Sequence, residues 1–141
     1  MTRRRRAREV ALQALHQIEF NPEAAAGGGL RRFFQGRLRS TPLVAFAEEL
    51  VAGVVRHRAD LDALLEAHSP RWRVARMAAT DRTVLRIAAY ELLHTATPGP
   101  VVADEAIDLA RRYGNEASPR FVAGVLGAVL EDRRSAAASG G

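Results

Sequence analysis

The stretch RRRRAREVALQALHQI, Arg3 to Ile18, decides the fold. Its apolar residues fall at Ala7, Val10, Ala11, Ala14, Leu15 and Ile18, the three-and-four spacing of a single helix face. The pattern predicts an amphipathic helix from about Arg4 to Glu19, stopped by Asn21 and Pro22. Five arginines occupy the six positions from Arg3 to Arg8, with no acid among them. Tied to the first turns of a helix, they form a shaped cationic surface. On a helical wheel Arg5, Arg8, His16 and Glu19 lie opposite or beside the apolar stripe, and Arg6, Gln13 and Gln17 lie on its other flank. Stability does not explain the run, because each basic residue at a helix N-terminus opposes the macrodipole by roughly 0.3–1 kcal/mol, and the charges repel one another. A polyanion relieves both penalties by counterion release, which favours nucleic acid as the ligand of this end.

Outward from that helix, the remaining pattern is again helical. AAAGGG, followed by LRRFFQGRLRSTP, reads as a mobile connection over about residues 22–40, since three successive glycines carry a large ordering entropy. Arg31, Arg32, Arg37 and Arg39 lie in it, as a second patch or, the preferred reading, a solvated loop. Thr41 and Pro42 open a helix whose stripe of Leu43, Ala47, Leu50, Val51, Val54 and Val55 is extended by Leu61, Leu64 and Leu65 toward His68. After Trp72, Val74 and Met77, Thr80 or a neighbour caps a helix carrying Val84, Leu85, Ala88, Ala89 and Leu92. The segment TPGP, Thr97 to Pro100, breaks the pattern. Val102, Ala106, Leu109, Ala110 and Tyr113 mark the next helix, with Gly114 as a left-handed terminator. Ser118 and Pro119 supply the cap and first turn of the last one, striped by Phe121, Val122, Val125, Leu126, Val129 and Leu130. Residues 135–141 are expected to be disordered. No segment alternates with a two-residue period, so the fold class is all-α.

The 141 residues suit one domain, over residues 1–134. All 21 basic residues are arginine, and the net charge is +5. Arginine grips phosphate through a planar fork and stacks on bases, so this usage fits nucleic acid. The absence of cysteine excludes disulfides, thiolate metal sites and a cysteine nucleophile. No apolar run reaches the ~20 residues of a membrane span, and the basic start lacks a signal-peptide core, so a cytoplasmic location without membrane contact is expected.

Catalytic signatures are missing. His16, His57, His68 and His94 are scattered, with no pair at metal-ligand spacing, and read as surface or boundary residues. Gly27, Gly28 and Gly29 lack the following Lys and Ser or Thr of a phosphate loop. The neighbouring acids Asp104 and Glu105, or Glu48 and Glu49, diverge by about 100° on a helix and cannot aim at one atom. The expectation is a protein that is not an enzyme and needs no metal or cofactor. For reading bases, Phe121 beside Arg120 in the first turn of the last helix suits stacking on an unpaired base, and His68 offers the same chemistry. On periodicity alone Phe121 is equally a core aromatic.

Three stretches resemble the NusB family of bacterial transcription antitermination factors: RRRAREVALQALHQIEF (Arg4–Phe20), WRVARMAATDRTVLRIAAYELL (Trp72–Leu93) and PVVADEAIDLARRYGNEASPRFVAGVLGAVLED (Pro100–Asp132). In the second, Trp72, Arg76, Asp81, Arg82, Leu85, Arg86, Tyr90 and Glu91 stand at the family's spacing. The resemblance implies a compact all-helical bundle of two packed helical subdomains. It implies a non-enzymatic adaptor that, with NusE, a small-subunit ribosomal protein, binds boxA-type single-stranded nascent RNA. Other Nus factors and RNA polymerase complete the implied assembly, which suppresses premature termination, notably in ribosomal RNA operons. By motif position, RNA contacts are implied at Arg4, Arg5, Arg6, Arg8, Gln13, Arg120 and Phe121, and NusE contacts at His16 and Asp81. His16 and His68 stand where relatives carry tyrosine, Asp104 and Ala123 where they carry asparagine, and Ala103 where they carry a larger aliphatic.

Beside that resemblance, Trp72, Met77, Val84, Leu85, Ala88 and Leu92 are expected to form one core seam. Arg76, Arg86 and Glu91 are expected to pair with one another or with Asp81, as architecture. Two rivals remain. One is the RNA-targeting module of a ribosomal RNA methyltransferase, disfavoured because no cofactor-binding domain follows. The other is a basic helical scaffold docking to an acidic protein without RNA sequence preference. The spacing does not choose between monomer and homodimer.

Overall fold

The computed structural model describes residues 3–25 and 28–140, with the side chains of 24, 25, 139 and 140 left aside. Seven α-helices follow in order: α1 (Arg3–Phe20), α2 (Gly29–Arg37), α3 (Thr41–Arg56), α4 (Arg58–Ala67), α5 (Ala79–His94), α6 (Gly99–Tyr113) and α7 (Ser118–Gly140). Short 3-10 turns occupy Pro22–Ala25 and Val74–Arg76. Among the described residues there is no strand, and no helix is long and apolar enough to cross a membrane. The all-α class expected from periodicity is what the chain adopts.

The chain divides into two compact units, residues 1–57 and 58–141. In the first, α1 lies along α3. The small side chains of Ala7, Ala11, Ala14 and Ala47 are fully buried with Val10 and Leu50, so helix backbones can approach closely there. α2 packs against both helices and contributes Phe34, fully buried, and Leu38 at its C-cap. Residues 28–40 were expected to belong to a mobile connection and instead carry a helix. Phe34 supplies the reason, since burying one aromatic ring offsets much of the ordering cost of a short helix. Gly28, at φ 77°, takes the left-handed conformation that glycine adopts without a Cβ penalty. Gly27 lies outside the described residues.

In the second unit α5 is central, packed against α4, α6 and α7. Every residue from Thr83 to Leu92 is buried, as in a helix enclosed all round. α5 carries three buried charged residues, Asp81, Arg86 and Glu91. Arg86 donates to both carboxylate oxygens of Asp62 on α4, at 2.8 and 3.0 Å. Glu91 is 1% exposed, and its backbone carbonyl accepts from the Thr95 hydroxyl at 2.8 Å, closing the helix end. Glu66 on α4 accepts from the Val74 amide at 3.0 Å and so fastens the second 3-10 turn. Val122, Val125, Leu126 and Val129 form the buried stripe of α7.

Several expectations are corrected. The run from Leu43 to His68 is two helices. Its break is at His57, whose φ and ψ of −104° and 16° leave the helical range while its amide still donates to the Gly53 carbonyl at 2.9 Å. Trp72 is half exposed, outside the core seam that Met77, Val84, Leu85, Ala88 and Leu92 do build. Arg86 pairs with Asp62, and not with Glu91 or Asp81 as expected. Gly114 is extended, at φ −94° and ψ −167°. Its requirement is space, because a Cβ there would sit 2.8 Å from the Ala110 carbonyl and 2.5 Å from Ser118 Cβ. Ser118 does not cap; its hydroxyl accepts from the Asn115 amide at 3.0 Å. Residues 135–140, expected to be disordered, continue α7, and Gly141 lies outside the described residues.

Candidate nucleic-acid interface

Each unit carries its own cluster of the residues singled out by sequence. In the first unit, α1 begins inside the arginine run and has no acid in its first turn. Those arginines are in different electrostatic states, set by a neighbour on α1 for Arg6 and by α3 for Arg4 and Arg8. Arg6 donates to Glu9 Oε2 at 3.1 Å, one turn ahead, so its charge is compensated by a carboxylate that is itself 2% exposed. Arg4 is exposed, and its guanidinium lies 4.5 Å from the centroid of the Phe46 ring on α3. No acid pairs with Arg4 among the described residues. Arg8 stacks on the same ring at 5.3 Å and is only 3% exposed. The helical wheel places Arg8 opposite or beside the apolar stripe. The structure buries it, because its position on α1 faces α3 and its aliphatic stem can cover apolar surface.

Arg5 and Gln13 are half-buried. His16, also half-buried, lines a surface hollow of about 420 Å³ with Gln17, Phe20 and Asn21. Phe20 is 76% exposed there, a large apolar surface that periodicity had left outside the stripe. On α2, Arg31 donates to both oxygens of Glu48 at 3.3 and 3.1 Å, and Arg37 stacks on Phe33 at 3.9 Å. Sequence reasoning missed Phe46. The signal available was a bulky ring at the edge of the α3 stripe, beside buried Ala47 and one turn before Leu50.

In the second unit, Asp81 and Phe121 line one cavity of about 270 Å³ with Trp72, Arg76, Met77, Ala78, Asn115 and Ala117. Asp81 is the acid in the first turn of α5, where the helix dipole favours it, and is 7% exposed. Its Oδ1 is buried without a hydrogen-bond partner. Phe121 is half-buried, between the core and solvent readings left open by periodicity, and Arg120 beside it is exposed. Trp72, Arg76 and Asn115 had been given architectural roles or none, since residues far apart in sequence meet only through the α5 and α7 N-termini. The cavity therefore joins two aromatic residues, an unsatisfied acceptor and the basic Arg76. That set can hold a planar group carrying hydrogen-bond donors.

His68, the other base-stacking candidate, is engaged. Its Nδ1 lies 2.9 Å from the Leu64 carbonyl oxygen and its Nε2 3.2 Å from Asp132 Oδ2. Among the described residues no group of three or more His, Cys, Asp or Glu could hold a metal ion.

The NusB family model matches residues 5–131. The chain is 48% identical over 126 residues to the transcription antitermination protein NusB of Anaeromyxobacter dehalogenans, spanning 89% of this chain and 88% of that protein. Among solved structures it is similar to NusB of T. maritima, with a TM-score of 0.78, 32% identity and coverage of 91% of this chain and 90% of that one. It is also similar to a chain of a structure described as antitermination factors NusB and NusE in complex with dsRNA. There the TM-score is 0.75 at 27% identity, over 94% of this chain and 98% of that one.

Proposed function

The chain belongs to the NusB family, and from that premise we propose how its two residue clusters serve an antitermination factor that binds RNA together with NusE. It is an adaptor and not an enzyme. The observation that carries the reading is Arg4, an exposed cation with no acidic partner among the described residues, held on an aromatic ring in a run of five arginines. A structural salt-bridge face would pair its charges, as Arg6 does with Glu9.

The RNA is single-stranded and of boxA type, because sequence in RNA is read from splayed bases and not from the narrow major groove of a duplex. Arg4, Arg5, Arg6 and Arg8 supply the positive field, with Gln13 beside them. Arg120 and Phe121 supply a phosphate contact and a stacking ring. Asp81 and His16 meet NusE, each beside apolar surface: Trp72 in one cavity, Phe20 in the other hollow. The buried, unsatisfied Asp81 oxygen supports its assignment, since a donor from a partner would satisfy it. Further Nus factors and RNA polymerase complete the assembly in the cytoplasm, acting notably on ribosomal RNA operons.

The test is a competition titration of a boxA-type oligonucleotide against a scrambled one, with and without NusE. Preference for the boxA sequence, strengthened by NusE, is expected. Equal affinity for both RNAs under both conditions would overturn the boxA reading, and is what a basic scaffold docking to an acidic protein predicts.

A further inference from the structure

Two guanidinium groups one helical turn apart on α1, Arg4 and Arg8, converge on the Phe46 ring of α3, at 4.5 and 5.3 Å from its centroid. We propose that Phe46 is a positioning residue of the RNA interface, holding the Arg4 guanidinium plane so that its edge donors face an incoming phosphate. The proposal rests on the RNA-binding reading above and adds to it a residue outside the arginine run.

The argument turns on what an aromatic partner does that an acid does not. A guanidinium carries all its N–H donors in its plane and none on its faces. A carboxylate binds those donors and cancels the charge, as Glu9 does for Arg6 and Glu48 does bidentately for Arg31. A ring attracts the cation through its quadrupole by contact with the face. The donors and the full positive charge are then still available. An arginine on a phenylalanine is thus ordered in advance while remaining able to bind phosphate.

Ordering matters because arginine otherwise loses rotamer freedom on binding. The half-buried ring of Phe46 lies beside the buried α3 stripe of Ala47, Leu50, Val51 and Val54. Of the two guanidinium groups on this ring, Arg8 is only 3% exposed and Arg4 is exposed.

The experiment measures affinity of the full chain with NusE for a fluorescent boxA-type oligonucleotide, across a salt series. The variants are Phe46→Leu, Phe46→Tyr, Arg4→Ala and the double variant F46L/R4A, each checked for helicity and melting temperature. Leucine retains apolar bulk but has no π-face, so it separates stacking from packing. F46L is expected to weaken binding about three- to tenfold, and F46Y to restore it to within about twofold of the parent chain. The salt slope of F46L is unchanged, since every cation remains. In the F46L background, R4A adds much less than it does alone.

Two results would overturn the proposal: parent-like affinity in folded F46L, or independent, multiplying effects of F46L and R4A. Either would make the ring a packing contact between α1 and α3 and leave the RNA reading in place, provided that R4A alone weakens binding. A parent chain that does not bind the oligonucleotide overturns both together.

Discussion

Arg6 and Glu9 form a 3.1 Å ion pair along α1 in which the carboxylate is almost fully buried, while Arg4 has no such partner among the described residues. Two members of one arginine run, two positions apart, are therefore unequal. Arg4→Ala should lower RNA affinity and reduce the salt slope by about 0.7, the contribution of one phosphate contact on a single strand. Arg6→Ala should change the slope less and lower the melting temperature more, because it leaves Glu9 as a buried carboxylate with one cation fewer. Titrations at several salt concentrations, beside thermal melts, separate the two. Equal slopes in both variants would contradict the ranking.

Phe121→Ala should weaken RNA binding by about 1–3 kcal/mol, the range for removing one stacked base contact. The salt slope should stay at its parent value, because no charge is removed. A core aromatic would behave differently, lowering the melting temperature without a specific loss of RNA affinity. The ring is half-buried and lines the Asp81 cavity, which is why both measurements are needed.

Removing Asp62 should destabilise the second unit by about 2–4 kcal/mol, since Arg86 would stay buried without its carboxylate. The estimate lies at the lower side for a buried pair because Asp62 is 26% exposed. Replacing both partners by apolar residues, as in D62L/R86M, should recover most of that loss. Urea unfolding of the single and double variants measures it, and a double variant as unstable as D62A would argue against the mechanism.

Phe34→Ala should cost about 3–4 kcal/mol, as expected when a fully buried ring leaves a cavity. A solvated loop would lose no more than about 0.5 kcal/mol from the same change. Chemical denaturation of this one variant thus decides between a packed α2 and a mobile connection.

Much of the fold was legible because burial imposes a period on sequence. The stripes of α1, α3, α5, α6 and α7 are all visible at three-and-four spacing, and their stops lie near Pro22, Pro98 and Gly114. α2 was not legible, since one buried phenylalanine in nine residues leaves no periodic trace and the flanking glycines suggest a loop. The break at His57 was invisible for the opposite reason. Val54 and Leu61 are seven residues apart, so the apolar spacing runs through the break without a change of phase.

The candidate site divides in the same way. Composition and order along the chain determined that the protein is all-helical, that α1 opens in a cluster of uncompensated-looking cations, and that three ordered motifs match one family. Those properties are local, carried by residues within a turn or two of each other. The Arg6–Glu9 pair is likewise local, one turn apart on α1, whereas tertiary structure alone placed Phe46 against Arg4 and Arg8. It also brought Asp81 and Phe121, 40 positions apart, to one cavity. The physical reason is that stacking on a ring and the lining of a cavity depend on distances of a few ångströms between helices, and such distances leave no period in the sequence.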